Sequence, residues 1–282
     1  MLSKPKKVAA VHDIAGFGRS SLTVVMPTLS VMGHQACPAP TAVLSSITGF
    51  YKGYAMCDMT DFLSDCFAHW EKENCAFDCV YTGFIGSVRG VEITKAFIER
   101  AKAPFVVVDP VFADDGQKYD CFDEGMVCAM RSLIRDADVI TPNLTEACFL
   151  TDMPIDHSLE SVKKVLEKLG EMTRGSVLIT GVPCGDTVAV VVLDKKENAI
   201  YKIQNPYVHV HYPGTGDLYT AVLCGGMLSG EPLSMAAAGA ADYVFAAIRT
   251  AQEVGVPQRE GVPMELLVSR LVHREYLPIE KV

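Results

Sequence analysis

The stretch Pro213-Gly214-Thr215-Gly216-Asp217 opens an apolar run over 218–228 and is the most chemically suggestive segment of the chain. Two glycines let backbone approach a ligand closely and expose several N–H groups. A helix beginning there adds partial positive charge, and together these make a cradle for an anion. A carboxylate is out of place in a pure anion site, because it repels phosphate. The conflict resolves if Asp217 is a base that takes the proton from an attacking hydroxyl while the N–H cradle neutralises charge on a transferred phosphoryl group. The plainer alternative is a glycine loop with an ordinary capping Asp, and on these five residues alone both stay open.

Other segments offer partners for such a site. Thr141-Pro142-Asn143-Leu144-Thr145-Glu146 has Asn and Glu at the spacing of a capping box. The same two side chains suit the metal–phosphate end of a site, holding Mg²⁺ through water. The run from Asp109 to Gly116 contains Asp109, Asp114 and Asp115, which suit a divalent ion or its water shell, although Asp-Asp-Gly is also a common surface turn. Thr180-Gly181, after an apolar run, can hydrogen-bond a phosphate. Gly16-Phe17-Gly18-Arg19-Ser20-Ser21 nearly matches the dinucleotide fingerprint G-x-G-x-x-G. The acidic residue needed about 20 positions on is missing, because no Asp or Glu occurs between Asp13 and Asp58. That loop reads equally as a tight turn and as a substrate cradle. No Gly-Lys dipeptide exists, so a P-loop is excluded, as are H-E-x-x-H and G-x-S-x-G sites.

These residues need elements to position them. Short apolar runs at 8–12, 77–82, 105–109, 139–141 and 177–180 read as strands. Residues 19–32, 58–73, 88–101, 121–135, 143–150, 158–173, 215–228, 232–250 and 263–272 read as helices. Segments 187–193 and 199–204 flank a polar turn and read as an antiparallel hairpin. Strands alternating with helices predict an α/β fold, with a mostly parallel sheet covered on both faces and the hairpin as an antiparallel edge. With no repeat or linker, one domain over 1–282 is the simplest count. Ligands bind beyond the carboxyl ends of such strands, where Asp13, Gly83, Asp109, Thr141 and Thr180 are expected.

Composition narrows the partners. The chain has 282 residues, 49% hydrophobic and 21% charged, which is globular. Its net charge of −9, without a basic block, argues against nucleic acid or an anionic membrane as the main partner. Ten cysteines contain no C-x-x-C pair, so they read as thiols of a reducing cytosol rather than a zinc site. The opening Met1-Leu2-Ser3-Lys4-Pro5-Lys6-Lys7 starts like a signal peptide, but the apolar run at 8–11 is too short for one, and no window is long enough to span a bilayer. A cytoplasmic protein is expected.

Taken in order, Asp13 with Gly16 and Gly18, Thr41, Thr82-Gly83-Phe84-Ile85-Gly86-Ser87, Asp109-Pro110-Val111, Thr141-Pro142-Asn143 with Glu146, Thr180, and Gly214 to Asp217 resemble the motifs of the ribokinase-like kinases, and within them the pyridoxal kinases. They extend from residue 8 to about 230. The resemblance implies a three-layer α/β/α sandwich and transfer of the ATP γ-phosphate to the 5′-hydroxymethyl of a B6 vitamer. It implies Asp217 as the base, with Gly214, Thr215 and Gly216 as the anion cradle. Asp114, Asn143 and Glu146 fall in its metal and phosphate region, Thr180 at a phosphate contact, and Tyr119 over the phosphates. Asp13, Gly18, Thr41 and Phe84 fall where the family holds the ring. ATP, Mg²⁺, a monovalent cation and a homodimer also come with the resemblance. Three departures bear on specificity. Asp13 stands where many members have Ser, Ser46-Ile47-Thr48 where they have Asn-His-Thr, and Phe84 where Tyr is common. The rival readings are a hydroxymethylpyrimidine or phosphomethylpyrimidine kinase, and a non-catalytic sensor of nucleotide or vitamer.

Overall fold

Alternation within the first strand sets the architecture. β1 (Lys7–Ala15) sends Val8 and Ala10 into one apolar cluster and Ala9 and Val11 into another, all fully buried. A strand apolar on both sides belongs inside a sheet covered on both faces. The computed structural model describes residues 4–119 and 121–282, so the first three residues of the signal-like opening lie outside it.

After β1 come α1 (Leu22–Val31), β2 (Gln35–Leu44), β3 (Met56–Asp58), α2 (Thr60–Lys72), β4 (Cys79–Thr82), α3 (Val88–Ala101) and β5 (Val106–Val108). A small hairpin of β6 (Ala113–Asp114) and β7 (Gln117–Lys118) precedes α4 (Glu124–Leu133), β8 (Val139–Ile140), α5 (Leu144–Thr151) and α6 (Leu159–Met172). The chain closes with β9 (Ser176–Cys184), β10 (Thr187–Asp194), β11 (Ala199–Pro206), α7 (Thr215–Leu228), α8 (Leu233–Val254), α9 (Val268–Val272) and β12 (Ile279–Lys281). The main sheet runs β12-β11-β10-β9-β8-β5-β4-β1-β2-β3. Pairing is parallel from β2 through β9 and antiparallel at both flanks. Helices cover both faces, so the mixed, mainly parallel α/β/α sandwich is what the sequence predicted. Leu63 and Phe67 of α2, with residues of α3 to α6, pack on one face, and residues of α1, α7 and α8 pack on the other.

This strand order contains a reversal. From β1 the chain goes to β2 on one side, then returns to β4 on the other side of β1. The crossover helices α1 and α2 therefore diverge to opposite faces, leaving a crevice above the carboxyl ends of β1 and β4.

The structure corrects the sequence reading in several places. Residues 35–44, for which no strand is expected, form β2 although Pro38 and Pro40 cannot donate to a ladder. β2 accommodates them because β3 pairs only with Ala42, Val43 and Leu44, leaving the rest of β2 as an edge. The hairpin β10–β11 is not the outermost pair, since β12 adds beyond β11. Residues 263–272 form a 3₁₀ turn at Met264–Leu266 and a short α9 instead of one helix. Asp13 and Thr180 lie inside strands rather than after them.

Candidate active site

The site begins with a bulge. β1 and β2 stay in register to His12 and Pro40, then slip, so that Ile14 pairs with Val43. The extra residue lies in β2, between Pro40 and Val43, and opposite it sits Asp13. It is 7% exposed, and its Oδ1 has no hydrogen-bond partner among the described residues. Burial pushes its pKa up to about 7; the Ser21 hydroxyl opposes the rise and the Asp217 charge adds to it.

Asp217 lies in the first turn of α7. Gly214, at φ 75°, forms the N-cap, and a Cβ there would fall 2.1 Å from the Arg19 carbonyl oxygen. Glycine is therefore required for the helix start to pack on the 19–20 backbone. At Gly216 an added Cβ would meet nothing within 4 Å, so the space before the helix is open. Helix geometry leaves the first N–H groups without intrahelical acceptors, which is what the expected anion cradle requires. The Thr215 hydroxyl instead donates to the Tyr212 carbonyl at 3.1 Å.

The Asp217 carboxylate is held rather than free. Its Oδ2 accepts from Ser21 N–H at 2.8 Å and its Oδ1 lies 3.9 Å from His12 Nδ1, while Tyr81 Oη donates to the backbone carbonyl of Asp217 at 3.3 Å. Its side chain is 12% exposed. Burial raises its pKa, and the Ser21 N–H opposes the rise. Nearby Asp109 is pushed well above the ordinary range by burial and then by the Asp217 charge. Thr220 Oγ1 lies 3.3 Å from Asp109 Oδ2 and 3.0 Å from Thr141 Oγ1.

Asn143 and Glu146 form the full capping box of α5. Glu146 is 3% exposed; Oε1 accepts from Phe112 N–H at 3.1 Å and Oε2 from Asn143 N–H at 2.9 Å. Both carboxylate oxygens are therefore engaged by backbone donors. Burial, then the Asp109 charge, lifts its pKa well above normal. Asn143 Nδ2 donates to the Ala113 carbonyl at 2.7 Å, which ties the β6–β7 hairpin to this corner. Thr180 bridges to Asn143 through backbone.

Asp114 and Tyr119 ride on that hairpin. Asp114 is half-buried, whereas Asp115 is exposed at φ 46°. Asp114, Asp115 and His211 bring ligand atoms within 4.8 Å of one another, and Glu146 is not part of that group. The Tyr119 phenol is held protonated by burial and then by the charges of Glu146, Asp114, Asp217 and Asp109. No ion pair among the described residues reaches Asp13, Asp109 or Glu146. Burial favours their neutral forms, and the carboxylate oxygens of Asp114 and Asp115 are donors of the type a divalent ion takes.

Phe84, where the resemblance implies a ring contact, is half-buried and tilts against Phe122 at 5.4 Å. Thr41 is 2% exposed, and its hydroxyl donates to the Phe84 carbonyl at 2.8 Å, so it fixes the Phe84 backbone. Gly18, at φ 96°, packs on the Ile47 side chain. Sequence reasoning passed over His12 and Tyr81 and took Ser21 only as the last residue of the Gly16 loop. A histidine ending an apolar strand beside Asp13 was the available signal for the first, and Tyr81 had none.

A ribokinase-like sandwich with a carboxylate at the mouth of a glycine-opened helix defines the class as a kinase fold. The sequence profile of the phosphomethylpyrimidine kinase family matches residues 26–262, and the chain belongs to that family. It is similar to a Bacteroides thetaiotaomicron protein named for phosphomethylpyrimidine kinase, with 40% identity, 100% of this chain and 99% of that one covered, and a TM-score of 0.95. A second crystal form of that protein was solved with pyridoxal. Pyridoxal kinase from Lactobacillus plantarum is 31% identical, with 95% and 97% of the chains covered and a TM-score of 0.90. The pyridoxine/pyridoxal/pyridoxamine kinase of Bordetella bronchiseptica is 26% identical over 89% of this chain and 91% of its own.

Proposed function

We propose that this chain transfers the γ-phosphoryl group of ATP to the 5′-hydroxymethyl of a B6 vitamer, with Asp217 as general base. The observation that carries the proposal is Asp217 itself: a carboxylate fixed by Ser21 at the start of α7, near enough to Asp13 for its charge to act there. The 40% identical protein crystallised with pyridoxal supports the ring as substrate. In the proposed step the hydroxyl proton passes to Asp217, the alcohol oxygen forms a bond to the γ-phosphorus, and the bond from that phosphorus to the ADP oxygen breaks. The N–H groups at Gly214, Thr215 and Gly216 meet charge on the moving phosphoryl group. Mg²⁺, held through water near Asp114 and Glu146, would neutralise the phosphates. Asn143, Thr180 and Tyr119 flank the phosphates, and Thr41 and Gly18 shape the ring pocket beside Phe84. A monovalent cation has the same acidic corner open to it.

A pyrimidine alcohol is the second reading, favoured by the family profile and by a 29% identical hydroxymethylpyrimidine/phosphomethylpyrimidine kinase of Aquifex aeolicus. The deciding experiment measures ADP release against pyridoxal, pyridoxine, pyridoxamine and hydroxymethylpyrimidine in parallel. Turnover of the pyrimidine alone would overturn the vitamer assignment, and ATP binding without any ADP release would leave a sensor. We extend the proposal to one kinase domain over 1–282 that works in the cytoplasm as a homodimer. Exposed Val43 and Met56 at the β2–β3 edge support a second copy, and sedimentation tests it.

A further inference from the structure

His12, on β1, has no exposure to solvent, and neither ring nitrogen has a hydrogen-bond partner among the described residues. An imidazole buried in that way is unfavourable beside an apolar side chain of similar size. The surroundings are nonetheless built around it. A Cβ at Gly83 would fall 2.1 Å from His12 Nδ1, so only glycine fits against the ring. Tyr81 meets the ring edge-on, with centroids 4.4 Å apart and planes at 81°. His12 shares the parity of Val8 and Ala10, and therefore faces the side of the sheet covered by α7. Its Nδ1 lies 3.9 Å from Asp217 Oδ1, while Ser21 N–H holds Oδ2. Burial alone lowers the ring's pKa to about 3, so the imidazole stays neutral and can carry a hydrogen on Nδ1 without charge.

We propose that His12 is a positioning residue for Asp217: its Nδ1–H and the Ser21 N–H grip the two carboxylate oxygens and aim the remaining lone pairs at the substrate hydroxyl. The inference rests on the assignment of Asp217 as base. A separation of 3.9 Å is longer than a hydrogen bond, and catalytic hydrogen bonds that are long in an empty site tighten once substrate fills it. The substrate proton stays on Asp217, and His12 neither gains nor loses one. The groups facing Asp217 are His12 and Asp13 from β1, Ser21 before α1, Tyr81 from β4, Asp109 after β5 and Tyr119 after β7. Its titration is a property of that set, so only comparison of His12 variants isolates the imidazole.

The test compares His12→Phe, His12→Leu and His12→Asn, whose amide N–H replaces Nδ1–H. Protein labelled with ¹³C at aspartate reports the Asp217 titration, its signal identified by loss in Asp217→Asn. In the Phe and Leu variants Asp217 should titrate at higher pH, because the carboxylate has lost a donor. Turnover should fall about tenfold or more with KM for both substrates nearly unchanged, the scale on which a partner of a reactive group acts. His12→Asn should recover most of both. An unmoved titration in the Phe and Leu variants, or an Asn variant as impaired as the Leu one, would overturn the proposal. If the Phe ring does not fit, the Leu and Asn pair decides alone. The titration is read with pyridoxal bound and no nucleotide present, where the contact closes, so it needs binding but no turnover. A wild-type protein inert toward every alcohol would therefore sink the kinase reading, while the titration would still decide whether His12 acts on Asp217.

Discussion

Ser21 and Asp217, 196 residues apart, meet through a 2.8 Å hydrogen bond from the Ser21 N–H to Asp217 Oδ2. Ser21 adopts φ 52° and ψ −136°, a backbone that residues with a side chain rarely take. That strained turn aims an N–H at the carboxylate and fixes its orientation before any substrate arrives, as catalytic preorganisation requires.

Replacing Asp217 with Asn keeps the size and the acceptor for Ser21 but removes the base. Turnover should fall by at least ~100-fold, the usual scale of general-base loss, with ATP affinity retained. Steady-state ADP release and an ATP titration check this; near-normal turnover would refute the base assignment.

Phe84→Ala should weaken the ring substrate by roughly 0.5–1.5 kcal/mol, the worth of an aromatic stacking contact, and leave ATP affinity alone. Separate titrations of the two substrates decide it. An equal loss for ATP would move Phe84 out of the ring pocket.

The two glycines of the cradle should behave differently. Gly214→Ala places a methyl against the Arg19 carbonyl at positive φ, so both melting temperature and activity should drop. Gly216→Ala meets open space within a helix and should keep or raise the melting temperature, yet lower turnover by filling the phosphate position. A fully active Gly216→Ala variant would place the phosphate elsewhere.

Glu146→Ala removes the acceptor for the buried N–H groups of Phe112 and Asn143. It should cost about 2–4 kcal/mol of stability, through unsatisfied buried donors and a lost capping box. Denaturant unfolding measures this, and a loss below about 0.5 kcal/mol would show that the box contributes little.

Asp13 gives a pH signature. Its folded pKa of about 7 lies above its ordinary value of 3.8, so between those values the folded state binds more protons than the unfolded one. Its contribution to stability is therefore fully present at low pH and is lost as pH rises through about 7. Asp13→Asn should raise the melting temperature more at pH 8 than at pH 4.5. An equal change at both values would mean that Asp13 titrates normally.

Much of this site was legible along the chain because its motifs are local. Gly214 to Asp217 announces a helix start with a carboxylate in its first turn, and Asn143 with Glu146 announces a capping box, since both depend on neighbours within four residues. The strand and helix alternation likewise follows from short-range periodicity, which is why the mainly parallel sandwich could be expected. β2 escaped because whether Pro38 and Pro40 are tolerated depends on which side of the strand is unpaired, and that is settled only when β3 docks. The bulge opposite Asp13, the grip of Ser21 on Asp217, and the seat of His12 over Gly83 join residues from distant parts of the chain. Their distances and pKa shifts come from burial and from the strand order that sets β1 beside β4, and no local pattern encodes either.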